Sequence, residues 1–229
     1  MSTMEMLWKQ SLKTFAGRNN VSYRLCQKNF EMLRSLMNKI TAADVRLDRD
    51  ILEFVQVQSA PTCVVDIFEN QDITIAIFIL KQGVTMPMHD HPGMHGLLKV
   101  IAGAVKINSF TLETTSDKVI GPNSSCTAIR HTGTLVTETA DACVLTPLDR
   151  NLHEISCVEG PAAFLDILSP PYDVDEFGRG IRPCTYFRVT GSTRSTESGN
   201  KLDKVTLVSM ESPPDFFSRS LKYLGPPLR

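Results

Sequence analysis

Three of the chain's five histidines fall in one short run, Met88-His89-Asp90-His91-Pro92-Gly93-Met94-His95. Side chains of an extended strand alternate between its two faces, so His89 and His91 point the same way. Two imidazoles on one face can take adjacent positions on a metal ion. A third ligand must then come from another strand that faces the same interior. His153, opening the β-like run His153-Glu154-Ile155, suits that place. For the pair alone a second reading stands beside this one, an H-x-H in a surface turn next to proline. His95 lies past Gly93 and is expected to leave the ligand face, either to support the ligands from behind or for a structural role. Asp90 is expected to point away from the metal, either orienting a neighbouring loop or solvated. His131, in a Ser/Thr-rich stretch, is expected at the surface.

The wider spacing sharpens the first reading. Gly83, five residues, His89-x-His91, four residues, Gly96, six residues and Gly103 resemble the first cupin motif. Where that motif usually carries a glutamate ligand, this chain has Gly96. A cupin that keeps its histidines and lacks the carboxylate resembles the three-histidine thiol dioxygenases. The second cupin motif is matched loosely, with Pro147 ahead of His153.

Two longer segments carry a family resemblance: Met86-Pro87-Met88-His89-Asp90-His91-Pro92-Gly93-Met94-His95-Gly96, and Gly160-Pro161-Ala162-Ala163-Phe164-Leu165-Asp166-Ile167-Leu168-Ser169-Pro170-Pro171-Tyr172-Asp173. They resemble the cysteamine (2-aminoethanethiol) dioxygenases, a family that includes the plant cysteine oxidases. The likeness spans roughly residues 73–189. It implies one Fe(II) held by His89, His91 and His153, with O2 as co-substrate. The substrate it implies is cysteamine, or the N-terminal cysteine of a protein or peptide. Oxidation of a protein terminus would then act in oxygen sensing, marking that protein for degradation. A monomer is implied as well.

The same resemblance places Asp166 in the active site. Asp166 sits in an apolar run, where an unpaired carboxylate is costly. It either meets the substrate's ammonium or forms a structural ion pair with an arginine such as Arg179 or Arg182. Cys184 and Tyr186, two apart and so on one face of a strand, are placed near the iron, where the family pair can form a thioether crosslink. Ordinary barrel packing is their other reading. Pro170-Pro171-Tyr172-Asp173 is implied to border the cavity mouth. Cys26, Cys63, Cys126, Cys143 and Cys157 lack the neighbouring base that would activate a thiol.

Imidazole suits Fe(II), and three facial ligands leave the opposite face of an octahedron open. Neutral ligands leave the full metal charge to attract a thiolate and lower its pKa. Zinc also accepts three histidines. Two rival functions follow: a non-catalytic metal-binding cupin, and a zinc or manganese cupin enzyme, which would normally retain the glutamate.

The elements that must position these residues are mostly short strands. β-rich runs cover residues 73–80, 96–101, 105–111, 135–139, 142–145, 153–158, 162–168, 185–189 and 205–208, punctuated by Gly and Pro. The predicted class is all-β: a single cupin barrel (double-stranded β-helix, jelly roll) with N-terminal helices. Residues 1–60 are expected to form a helical segment packed on the barrel domain of residues 61–229. Cys26, Phe30, Leu33, Met37 and Ile40 share one face of a helix predicted over 22–40, and Thr41-Ala42-Ala43-Asp44 resembles a capped helix start. Segments 113–133 and 190–201 read as flexible excursions, and the tail from 211 as a lid or loose end.

Composition narrows the partners. A formal net charge of −1 supplies no global field for nucleic acid or an anionic membrane. The longest apolar run, residues 73–80, is too short to span a bilayer, and Glu5 and Lys9 interrupt any secretory signal. Six scattered cysteines without a CxxC pair point to reduced thiols in the cytoplasm or nucleus.

Overall fold

The computed structural model describes residues 1–113, 121–173, 183–197 and 200–229, with side chains for all of these except 194–202. Helix α1 (Thr3–Phe15) starts at Ser2, whose hydroxyl accepts the Glu5 N–H at 3.1 Å and so satisfies one orphan donor of the first turn. Helix α2 (Gln27–Met37) buries Phe30, Leu33 and Met37. It is shorter at both ends than the periodicity predicts, and Cys26 is exposed at its N-cap. The expected cap is present: Thr41 and Asp44 form a capping box on a 3-10 turn over Ala42–Val45. Helix α3 (Arg49–Val57) follows, its first turn held by the Asp48 carboxylate on Ile51 N–H at 3.0 Å.

The strands are β1 (Thr62–Glu69), β2 (Thr74–Leu80), β3 (Thr85–Asp90), β4 (His95–Leu112), β5 (Ser125–Arg130), β6 (Thr134–Thr137), β7 (Cys143–Leu145), β8 (Leu152–Ser169), β9 (Tyr186–Glu197), β10 (Asn200–Met210) and β11 (Ser218–Leu221). Pairing runs β4–β8–β3–β9–β10–β5 and returns to β4, closing a ring of six strands. This is the predicted cupin barrel. β2 and β1 extend the sheet from β8, and β11 adds in parallel to β1. The C-terminal tail therefore contributes an edge strand rather than a lid.

β4 and β8 each run 18 residues, where the sequence suggests two strands apiece. Their ladder shifts register around Ala102 and Ala104. Gly103 lies there at φ +69°, and a Cβ on it would stand 2.3 Å from the Glu159 carbonyl oxygen, so only glycine fits. Segments 113–133 and 190–201 are corrected in part. β5 lies within the first and β9 and β10 run into the second, because β-branched residues such as Thr suit a pleated surface, while residues 114–120 and 198–199 lie outside the described residues.

Period-two patterning sorts the core. Ile75, Ile77 and Ile79 of β2 join Leu7, Phe30 and Leu33 of the helices in one apolar cluster. Phe78 and Leu80, on the opposite face, meet Phe164 and Ile155 inside the barrel. Burial of each such side chain stabilises the fold by about 1.5–3 kcal/mol. On β8, Ala163, Leu165 and Ile167 likewise face the helices. The alternate positions Ala162, Phe164 and Asp166 consequently look inward.

Candidate metal centre

A β-bulge aims the first two histidines. Along the β3–β8 ladder Met86 pairs with Ile155, yet His89 pairs with His153, so three steps on β3 match two on β8. The extra residue flips parity and lets both Met86 and His89 face the interior. Pro87, which has no N–H to give a ladder, lies inside this bulge. Its carbonyl oxygen is 2.8 Å from His89 Nδ1. His91 lies one residue past β3, and its N–H donates to the Asn151 carbonyl at 2.8 Å.

His89, His91 and His153 form a buried cluster whose ligand atoms all lie within 4.8 Å of one another. Ring centroids are 4.7–4.9 Å apart. Burial holds all three pKa values below the ordinary range, well below for His91 and His153, with mutual repulsion of positive charge adding at those two. They are neutral imidazoles at neutral pH, the form that binds metal.

Hydrogen bonds set the tautomers of two rings. His89 Nδ1 can only donate to the Pro87 carbonyl, which leaves Nε2 with its lone pair. Tyr172 places its hydroxyl 2.5 Å from the Asp90 carbonyl oxygen and 2.9 Å from His91 Nδ1. The single hydroxyl proton goes to the carbonyl, so the hydroxyl oxygen accepts from His91 Nδ1–H and His91 Nε2 is bare. That atom is 3.0 Å from His153 Nε2. Such a separation is the span of two ligands at right angles on an ion about 2.1 Å from each nitrogen. The three side chains fit a metal ion with an open coordination face.

No carboxylate from β4 can join them. Gly96 lies where a glutamate ligand would, and a Cβ there would approach Leu145 Cγ to 2.8 Å and Leu168 Cδ2 to 3.0 Å. Packing, as well as residue type, closes that position.

A cavity of about 330 Å³ opens beside His153, with Asp166, Leu98, Ile107, Ser109 and Leu145 among its walls. Asp166 thus faces the same interior as the histidines. Burial pushes its carboxyl up to about 7, and no cation among the described residues offsets this. Arg179 and Arg182, its alternative partners, lie outside the described residues. A second, apolar cavity lies elsewhere, between α3 and β11.

Tyr186 pairs with His89 across the β3–β9 ladder, with rings 6.3 Å apart. The Cys184 thiol is hydrogen-bonded with the hydroxyls of Tyr172 and Tyr186. Burial and then the Asp90 carboxylate push that thiol up to about 12, so it stays protonated. Asp90 itself is buried rather than solvated: its carboxylate accepts Thr185 N–H at 2.8 Å, and its own N–H donates to the Thr185 carbonyl. It staples the segment that carries Cys184 beside the metal centre.

His95 leaves the ligand face, packing between Phe15 and Phe30. His131 is half-buried rather than at the surface, its Nε2 2.7 Å from the Thr111 hydroxyl. Tyr172, Asn151 and the bulge at Pro87 were not singled out by spacing. Only the tyrosine's place in the long Gly160–Asp173 motif hinted at its role.

Fold and site together define a cupin with a three-histidine metal centre. A family model, PCO_ADO, matches residues 36–228. The 2-aminoethanethiol dioxygenase of Mus musculus is 32% identical, over 98% of this chain and 96% of that protein. That of Homo sapiens is 34% identical, over 87% and 81%. Plant cysteine oxidase 2 of Arabidopsis thaliana is 28% identical, over 70% of this chain and 57% of that protein. The chain belongs to the PCO_ADO family and is an enzyme of the thiol dioxygenase class.

Proposed function

We propose that this chain is an Fe(II)-dependent dioxygenase of a 2-aminoethanethiol unit. Both oxygen atoms of O2 are added to the thiol sulfur, R–SH + O2 → R–SO2H, so no external reductant enters the balance. The substrate is cysteamine, giving hypotaurine, or an N-terminal cysteine of a protein, giving cysteine sulfinic acid with an oxygen-sensing, degradation-marking role. The observation that carries this reading is the set of three neutral imidazoles with no carboxylate beside them, opening on a cavity lined by an acid, Asp166, that has no cation among the described residues.

Iron, when bound, supplies thiolate coordination and the electrons that make O2 reactive. The chain's own groups do the rest. His89, His91 and His153 hold the ion, and Pro87 and Tyr172 fix the rings that bind it. Asp166 pairs with the substrate ammonium, and the amine in turn favours its ionised form. Tyr186, with its ring 6.3 Å from that of His89, offers a hydroxyl. Cys184, a thiol hydrogen-bonded with two phenols, is a neighbour of that hydroxyl and not a nucleophile. Apolar walls such as Leu98 and Ile107 limit water around the reacting sulfur. All six cysteines are free, which supports a cytoplasmic or nuclear setting, and a monomer is the proposed working unit.

The test is anaerobic loading with Fe(II), then O2 uptake with cysteamine and with a Cys-initiated peptide, reading product mass for a gain of two oxygen atoms. That gain, absent in His153→Ala, is expected. Stoichiometric iron with no uptake for either thiol moves the chain to a non-catalytic or other-metal cupin.

A further inference from the structure

The cavity wall carries opposite charges at separate places. Leu98 of β4 pairs with Asp166 of β8 on one side and with Cys143 of β7 on the other. Neighbouring strands lie about 4.8 Å apart, so the two ends of this row are roughly 10 Å apart at the backbone. At one end is the Asp166 carboxyl. At the other, Arg34 of α2 and Arg150 of the loop before β8 both line the cavity, and both act electrostatically on the partly buried Cys143 thiol.

Among the described residues, neither guanidinium is used up by the fold. Arg34 Nε is buried with no hydrogen-bond partner among the described residues, a state that is costly without a ligand. Among the described residues Arg150 reaches only the exposed Asp149, at 3.8 Å, a contact worth little. The Arg150 backbone is held at φ 54° with its N–H on the Thr111 hydroxyl at 2.9 Å. A bulky residue kept in that region is strained, and such strain concentrates where a side chain must be aimed. Lys99, the third cation near Cys143, is already bound by the Glu138 and Ala140 carbonyls. The cavity of about 330 Å³ is also larger than cysteamine needs.

We propose that Arg34 and Arg150 form an anion-binding subsite for the part of the substrate beyond its aminothiol head, selecting cysteine-initiated peptides with an acidic residue at the second or third position. This rests on the dioxygenase function proposed above and names its substrate class. Length favours a peptide over free cysteine. The amine and carboxylate of cysteine share one carbon and cannot bridge the two ends of the row. An extended peptide advances about 3.3–3.6 Å per residue, so two or three residues cover the distance.

The experiment compares iron-loaded protein on Cys-Gly-Glu-Gly-amide and Cys-Glu-Gly-Gly-amide against their Gln counterparts, with cysteamine and free cysteine alongside. The amide ends leave the side chain as the only carboxylate. A better acidic peptide of either register is expected, by about tenfold in kcat/KM and mainly through KM. Arg34→Gln and Arg150→Gln each shrink that ratio towards one. Arg34→Glu turns the preference towards the matching Lys peptide, a gain that a misfolded variant cannot produce. A wild-type enzyme that oxidises every peptide without preferring acid overturns this proposal and leaves the proposed function standing, as does a preference that survives both Gln variants. A preference confined to free cysteine over cysteamine, lost in the variants, assigns the subsite to an α-carboxylate and overturns the peptide claim. No oxidation of any thiol sinks the proposed function and this subsite with it.

Discussion

The metal centre and the cavity wall beside it lie in one barrel interior but treat buried polar groups in opposite ways. At the metal centre the protein supplies the partners: His89 has the Pro87 carbonyl, His91 has Tyr172, and Asp90 has the Thr185 amide. Along the wall, Asp166 has no cation and Arg34 Nε no acceptor among the described residues. The contrast separates two tasks. A resident ion needs ligands fixed before it arrives, so the protein completes their hydrogen bonds. A transient substrate must gain something on binding, and an acid without a cation and a guanidinium nitrogen without an acceptor offer it that gain.

The strongest way to break this contrast is at Tyr172. Tyr172→Phe keeps the ring and removes the oxygen that accepts His91 Nδ1–H, freeing the imidazole to adopt the other tautomer. Loss of such a partner typically weakens metal binding by about 10–100-fold. Chelator competition is expected to show that loss while far-UV circular dichroism stays as in the parent. A change under twofold means the His91 tautomer is set by something else.

Asp166→Asn probes the opposite region, and it should divide activity from stability. Loss of a charged hydrogen bond to the ammonium is expected to lower kcat/KM for amine-bearing thiols by about tenfold or more. Stability moves the other way. The folded-state pKa of about 7 lies above the ordinary carboxylate value of 3.8, so the folded chain holds this proton more tightly than the unfolded chain. Stability therefore falls as pH rises from about 4 through about 7, and the whole penalty remains above that. Melting of the metal-free proteins is expected to match at pH 4 and to favour Asp166→Asn at pH 8. A variant less stable than its parent at pH 8 reveals a partner for Asp166 and removes the wall from the comparison.

How far the sequence carried depends on the same division. The H-x-H pair, the motif glycines and the barrel class could be read because they are local in the chain or repeat with period two. The bulge at Pro87 could not, because it is defined only by the partner strand. Arg34 and Arg150 reach the cavity from a helix and a loop far apart in the chain, and nothing in their local sequence marks them. Within the helical segment expected over residues 1–60 the bounds of helix α1 are not legible, because its buried face includes Ser11 and Thr14, whose hydroxyls donate to the carbonyls of Leu7 and Gln10 at 2.8 and 2.7 Å. That polar face breaks the apolar period. The Ser and Thr content of β5, β9 and β10 reads partly as loop, although β-branched threonine packs well in strands.

The smallest expected effect comes from Gly96, which borders both regions. If packing alone closes the place of a fourth protein ligand, then adding one methyl there should disturb the fold and leave the ion alone. Gly96→Ala puts a Cβ 2.8 Å from Leu145 Cγ, and overpacking of this kind destabilises by about 1–3 kcal/mol. In a chain of this size each 1 kcal/mol lowers Tm by roughly 2–4 °C. Metal affinity by the same chelator competition is expected to match the parent. Gly96→Glu, which restores the carboxylate of the common cupin pattern, should lose more stability and gain no affinity, because Leu145 and Leu168 occupy the path its side chain would take. Tighter metal binding by the glutamate variant would mean those leucines give way, and the absence of a carboxylate ligand would then trace to residue choice alone rather than to the shape of the wall.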